Sequence, residues 1–241
     1  MKLIPFITAG YPTLDAFWIS LKELDDNGAD IIEIGVPFSD PVADGPVIEA
    51  ASQQALANGV TLTWILDGLR ARRGQFNAKI VLMGYLNPFL QYGFERLAED
   101  AADIGVYGFI IPDLPLDEDT EYRDTLSAKG IHLIPLVAPN TSLERMRQYA
   151  AVASGYVYVV SVLGTTGVRQ GLPADVRETL QRARQAFDLP LALGFGFSDP
   201  SQLDAIPLSD RPDAIIFGSA LIRHLGDGGS AAAFMQRWKQ G

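Results

Sequence analysis

Eight short apolar, β-rich runs recur along the 241 residues, helical patterns separate them, and several runs are almost continuously hydrophobic, as strands covered on both faces must be. Together these features predict an α/β fold, a (β/α)8 or TIM barrel, organised as one domain over residues 1–241. The runs are Leu3–Thr8, Asp30–Gly35, Lys79–Gly84, Tyr107–Pro112, His132–Val137, Tyr156–Ser161, Pro190–Phe195 and Asp213–Gly218. A doubly wound sheet is the alternative, but it calls for a glycine fingerprint after the first strand. Thr8-Ala9-Gly10-Tyr11-Pro12 stands there instead.

The helices follow from their caps and faces. Thr13 is an N-cap candidate, Leu14, Phe17, Trp18, Leu21 and Leu24 share one face, and Asn27-Gly28 is a stop signal. Pro46 marks a helix start. Thr141 and Glu144 have capping-box spacing before Met146 and Tyr149. Residues 219–225 fit a short helix ended by Gly226–Gly229, and Ser230 opens the last helix, with Phe234 and Trp238 on one face. Successive runs start 23–28 residues apart, except for 49 after the second and 34 after the sixth. Loops that follow strands form the active face of a barrel, so function is expected first in segments 36–61 and 162–172.

Composition narrows the chemistry. The chain carries 19 basic and 29 acidic residues, a net charge of −10, which argues against nucleic acid as a partner. A small phosphorylated ligand remains compatible, because backbone N–H groups and helix N-termini bind anions without lysine. Cysteine is absent, which excludes disulfides, thiolate metal sites and a cysteine nucleophile. Two histidines are too few for a multi-histidine metal site, and no metal is expected. His132 opens the fifth run on the stability face, and Ser161 and Ser219 have no His–Asp partner in a recognisable order. No apolar run approaches a membrane span, and Met1–Pro5 lacks the features of a signal peptide. The chain is therefore read as cytoplasmic, with no membrane partner.

Carboxylates remain as the carriers of acid–base work. Glu33 interrupts the apolar run Asp30–Gly35 near its C-terminal end, on the face opposite Ile32 and Ile34. At a barrel mouth it would be a carboxyl in a partly dry pocket, with a raised pKa suited to proton transfer. A structural Glu paired with Lys or Arg fits the same pattern. Asp40 and Asp44 follow in a segment rich in proline and glycine, where they could serve the site or only the turns. Gly164-Thr165-Thr166-Gly167, Gly194-Phe195-Gly196 and Gly218-Ser219 leave late strands, where barrels gather phosphate sites. Ordinary tight turns are the competing reading. Phe6, Tyr85, Tyr158 and Phe195 could line an apolar pocket or fill barrel layers.

Several of these blocks together resemble the tryptophan synthase alpha subunit family. They are Pro5-Phe6-Ile7-Thr8-Ala9-Gly10-Tyr11-Pro12, the long run from Glu33 to Pro46, Met83-Gly84-Tyr85-Leu86-Asn87-Pro88, Pro112-Asp113-Leu114-Pro115, Ala138-Pro139-Asn140-Thr141 and Gly194-Phe195-Gly196, in that order and across essentially the whole chain. The resemblance implies a barrel lyase that cleaves indole-3-glycerol phosphate to indole and glyceraldehyde 3-phosphate. It further implies that Glu33 is the general acid–base and that Asp44 accepts a hydrogen bond from the indole N–H. Phe6 and Tyr158 would border the indole. Gly167, Gly196, Gly218 and Ser219 would hold the phosphate, and Thr166 would close against Asp44. The implied partner is a beta subunit carrying pyridoxal phosphate (PLP) in an alpha2beta2 complex, faced by Asp40 and Pro41; this chain would need no cofactor of its own. The family usually carries a helix before strand 1; here that strand starts near Leu3, so the expected barrel lacks it. An idle alpha-like subunit and another phosphosugar barrel, such as an isomerase or a thiamine-phosphate-type synthase, are the competing functions.

Overall fold

The computed structural model describes residues 1–160, 172–194, 196–204 and 206–239. Among them, parallel strands form one sheet: β1 (Lys2–Thr8), β2 (Ile31–Gly35), β3 (Lys79–Met83), β4 (Gly108–Ile110), β5 (His132–Leu133), β6 (Leu136–Val137), β7 (Val157–Val160), β8 (Leu191–Gly194) and β9 (Ala214–Phe217). Seven of the eight expected runs are single strands, but the fifth is corrected: Ile134-Pro135 divides it into β5 and β6. Proline has no N–H to give to a ladder. The Ile134 N–H donates to the Phe109 carbonyl at 2.9 Å, and the Pro135 carbonyl accepts from the Tyr158 N–H at 3.0 Å. The chain thus hands the sheet from one neighbour to the other, and the order β5-β4-β3-β2-β1-β9-β8-β7-β6 returns to its own start. The observed fold is the expected barrel.

Side-chain alternation fixes what faces inward. Ile31 packs in an interior cluster with Ile4, Val81, Ile110, Tyr156 and Ile216. Ile32 and Ile34 belong to the larger core that includes the helices. Glu33 shares the face of Ile31, and its backbone lies in register with Phe6 on β1 and Val81 on β3.

The outer layer follows the caps with one exception. Thr13 Oγ1 accepts from the Ala16 N–H at 3.2 Å at the start of helix Leu14–Asp26. Gly28 takes φ +90° just past its end, a conformation that favours glycine. Helix Pro46–Ala57 has its proline in the first turn, and helix Leu62–Arg70 follows, so the long interval after β2 holds a loop and two helices. Ser230 Oγ accepts from the Ala233 N–H ahead of helix Ala231–Lys239, and Trp238 stacks on Phe217 of β9 at 4.8 Å. The exception is helix Leu143–Ala150. Its cap is Ser142, which accepts from the Arg145 N–H at 3.1 Å. Thr141 instead accepts from the Ala138 N–H at 2.9 Å and closes the preceding turn.

Candidate active site

A cavity of about 420 Å³ opens among the ends of the strands, and Phe6, Asp44, Tyr158, Gly196, Gly218 and Ser219 all line it. These residues come from β1, the loop after β2, β7 and the exits of β8 and β9. The remaining wall is mostly apolar, with Ile48, Met83, Leu136 and Ile216. At one end Gly218 precedes helix Ser219–Gly226, and both Gly218 and Ser219 face the cavity. The unpaired N–H groups of a first helical turn suit an anion there.

Two glycines make the cavity's aromatic walls. A Cβ on Gly35 would lie 2.4 Å from the Phe6 ring, and one on Gly194 would lie 2.6 Å from the Tyr158 ring. No side chain larger than hydrogen fits beside either ring, so the glycines let Phe6 and Tyr158 lean across neighbouring strands.

Glu33 lies deeper than its sequence position suggests. A partly dry pocket at the mouth is the expectation for Glu33; the carboxyl is instead 0% exposed and is not part of the cavity lining. The Tyr156 hydroxyl donates to its Oε1 at 2.6 Å. Its Oε2 is buried and makes no hydrogen bond among the described residues. No Lys or Arg forms an ion pair with it there, so the structural ion-pair reading of Glu33 finds no support. Burial pushes its pKa up to about 8, and the Tyr156 hydrogen bond only partly opposes this. A buried oxygen left unsatisfied is costly.

Asp44 is half-buried at the rim. Burial pushes its pKa up to about 6, against a lowering hydrogen bond from Tyr85, with the nearby Glu49 charge adding to the rise. Both carboxylates reach Tyr158: burial first, then the charges of Glu33 and Asp44, hold its phenol well above the ordinary range. The cavity therefore joins an apolar slot with the Asp44 carboxyl at its rim and the backbone N–H groups of a helix start, and Glu33 is buried outside its lining.

The comparisons with known proteins follow this geometry. The profile of the family described as "Tryptophan synthase alpha chain" matches residues 1–239. The tryptophan synthase alpha chain of Nitratidesulfovibrio vulgaris strain Hildenborough is 67% identical over 99% of this chain and 92% of its own length. That of Desulfovibrio desulfuricans is 61% identical over 98% of this chain and 93% of its own length. The chain belongs to the tryptophan synthase alpha chain family. Among solved structures, a tryptophan synthase complex from Pyrococcus furiosus matches with a TM-score of 0.87 at 33% identity, covering 98% of this chain and 94% of that one. As an alpha chain, the protein is a lyase of tryptophan biosynthesis that cleaves indole-3-glycerol phosphate.

For an alpha chain, most of the expected site residues are gathered here. Gly167 and Thr166 lie outside the described residues, as does Phe195. Tyr156 is the residue that sequence reasoning missed. Its signal was present: Tyr156 and Tyr158 stand two apart in one apolar run, and both pack with the interior cluster. Trp18 and Trp64 pack against Phe17, and His132 packs on Tyr107, all as structural residues. Among the described residues, no group of three or more His, Asp or Glu could hold a metal ion, and no helix is long and apolar enough to cross a membrane.

Proposed function

We propose that Glu33 is the general acid–base of the cleavage and that Asp44 stabilises positive charge on the indole ring. The observation that carries this is Glu33 itself: a fully buried carboxyl beside the site cavity, held on one oxygen by Tyr156, bare on the other and with its pKa pushed up to about 8. An aromatic carbon leaves poorly until it is protonated. A carboxylic acid still protonated near neutral pH supplies that proton to the ring carbon. The resulting carboxylate then takes the hydroxyl proton of the side chain as the carbon–carbon bond breaks. Electrons from that O–H bond form the aldehyde, and those of the broken bond restore the indole. Because Glu33 stands off the lining, its carboxyl reaches the substrate by turning away from Tyr156.

Asp44, ionised, accepts from the indole N–H as positive charge spreads over the protonated ring. Phe6 and Tyr158 border the indole. Gly196, Gly218 and Ser219, with Gly167, hold the phosphate and so fix the bond to be broken relative to the acid. Thr166 closes the loop after β7 against Asp44 and helps exclude water.

The chain acts as a single domain over residues 1–241 and works in the cytoplasm. Its partner in this reading is a tryptophan synthase beta subunit in an alpha2beta2 assembly. The matching Pyrococcus furiosus structures, one titled for mutual activation of the a2b2 complex, support this. So does the surface beside the site. Val42 is 84% exposed, and a recess of about 480 Å³ is lined by Pro37, Phe38 and Asp40 of the same loop with Asn87 and Pro88. The pyridoxal phosphate belongs to that partner, and this chain uses no cofactor.

The test is indole release from indole-3-glycerol phosphate. Glu33→Gln should lower the rate by roughly 10²- to 10⁴-fold, the usual worth of general acid–base catalysis, while still binding a phosphate-bearing substrate analogue. Asp44→Asn should also be severely impaired. Near-normal turnover in Glu33→Gln would remove the acid–base assignment. No release by the unmodified chain, with or without a beta subunit, would favour the idle subunit instead.

A further inference from the structure

We propose that Met83 is a specificity-determining residue of this site: its side chain sets which substituents on the six-membered part of the indole ring the cavity admits. The inference rests on the reading above, with the indole against Phe6 and Tyr158 and the phosphate at the exits of β8 and β9. Met83 ends β3 and lines the cavity. With β5 and β6 sharing one place in the barrel, β3 is four steps from β8 by way of β2, β1 and β9, and four by way of β4, β5/β6 and β7. Met83 therefore stands across the barrel from Gly194 and Gly196, which line the phosphate side. The substrate carries its phosphate on a chain attached to the five-membered part of the ring. Its far end, directed toward Met83, is the six-membered part.

The aromatic parts of the wall are held in place. Gly35 is the partner of Met83 in register on β2, and the Phe6 ring takes the space beside it, where a Cβ would lie 2.4 Å from the ring. The Tyr158 ring is held in the same way over Gly194. Ile216 is β-branched and stiff. Met83 differs. It is half-buried and packs against both the interior cluster and the larger core. Its unbranched chain has three rotatable bonds and a polarisable thioether. Its backbone is fixed: the Val36 N–H donates to the Met83 carbonyl at 2.7 Å, and the Gly84 N–H donates to the Ile110 carbonyl at 3.0 Å. A Cβ on Gly84 would lie 2.9 Å from Phe89 and 3.0 Å from Val36, so the main chain has no room to shift there. The freedom of this wall lies in the Met83 side chain.

Such a wall adapts to what it faces. Against an unsubstituted ring the thioether supplies a sulfur–aromatic contact; against a methyl group or a halogen it changes rotamer and makes room. A stiff side chain in its place would reject the same substituent. In a fixed apolar pocket one extra methylene changes discrimination by about 10- to 200-fold. The acid–base groups are untouched by this adjustment, so it acts on the choice of substrate and leaves the reaction itself alone.

The experiment uses the full chain with indole-3-glycerol phosphate and with derivatives bearing a methyl group or chlorine on the six-membered ring. It reads the ratio of kcat/KM for each derivative to that for the parent compound. The ratio cancels the fraction of active protein, so a merely structural defect leaves it in place. Met83→Ile stiffens the chain at Cβ and should lower the ratio on the order of tenfold. Met83→Ala removes the wall and should raise the ratio by a similar factor while kcat/KM for the parent falls. Met83→Leu is close in volume and branched; it should lower the ratio, and it carries the test if either of the others does not fold. Competitive inhibition by inorganic phosphate should be equal in every variant, because the phosphate binds at the opposite wall. Ratios that stay constant in the folded variants, or a phosphate affinity that shifts along with them, would overturn the proposal. The unmodified chain separates the two readings. If it does not cleave the parent compound, the reading of the site fails; if it does and the ratios stay constant, only the role of Met83 fails.

Discussion

Burial acts on Glu33 and Asp44 with the same sign but to different depths. Glu33 is enclosed completely and titrates near 8, while Asp44, half-buried and bonded to Tyr85, titrates near 6. The proposed chemistry needs Glu33 protonated and Asp44 ionised, and those two forms coexist between the two values. The kcat/KM for indole formation should therefore be bell-shaped, with an acid limb near 6 from Asp44 and a basic limb near 8 from Glu33. A profile that keeps rising above pH 9 would mean that Glu33 is not needed in its acid form. The sequence made both carboxylates visible, since a Glu inside an apolar strand and an Asp in a long loop after that strand are local patterns. The depth of Glu33 was not visible. It depends on Tyr156, 123 residues away, and no local pattern reports a pair that only barrel closure brings together.

The strands show the same division between local and distant causes. Their order follows from the apolar runs, but the break at Ile134-Pro135 lies inside one such run and was missed, because the run's hydrophobicity hides the proline's missing N–H. The cap of helix Leu143–Ala150 was missed too, because Thr141 and Ser142 both suit the position and only the turn back to Ala138 decides between them. The glycine exits were legible as glycines, yet the space they leave belongs to rings on neighbouring strands. Gly35 at the end of β2 tests this. Gly35→Ala places a methyl group against the Phe6 ring, which a Cβ would approach to 2.4 Å. Overpacking of this kind typically costs about 1–3 kcal/mol. Chemical denaturation should show that loss, and KM for indole-3-glycerol phosphate should rise as Phe6 is displaced. Adding Phe6→Leu, which withdraws the ring, should return part of the stability. A Gly35→Ala protein with unchanged stability and KM would show that β1 and β2 have slack there.

The barrel as a folded unit bears the cost of its own acid. Glu33 has a reference pKa of 4.5 and titrates near 8 when folded. Between these values the folded chain holds a proton that the unfolded chain has released, so stability falls as pH rises through this window. Each unit of such a shift corresponds to roughly 1.4 kcal/mol. Asp44 adds a smaller contribution of the same sign between 3.8 and about 6. Asp25, Asp117 and Asp199 are shifted the other way and contribute stability that is lost at low pH. The total curve mixes these, but the difference between the protein and Glu33→Gln isolates one of them. Glutamine is neutral at every pH and its carbonyl still accepts from Tyr156. The variant should match the protein in stability near pH 4.5, exceed it increasingly toward pH 8, and remain ahead by a constant margin above that, with melting temperature and denaturant midpoint moving together. It should be the more stable protein under the very conditions in which it is inactive, as expected where function keeps a charge in a place folding disfavours. Parallel stability curves across pH 4.5–8 would mean that Glu33 ionises in the barrel as freely as in water, and the acid–base role built on its burial would fall with that result.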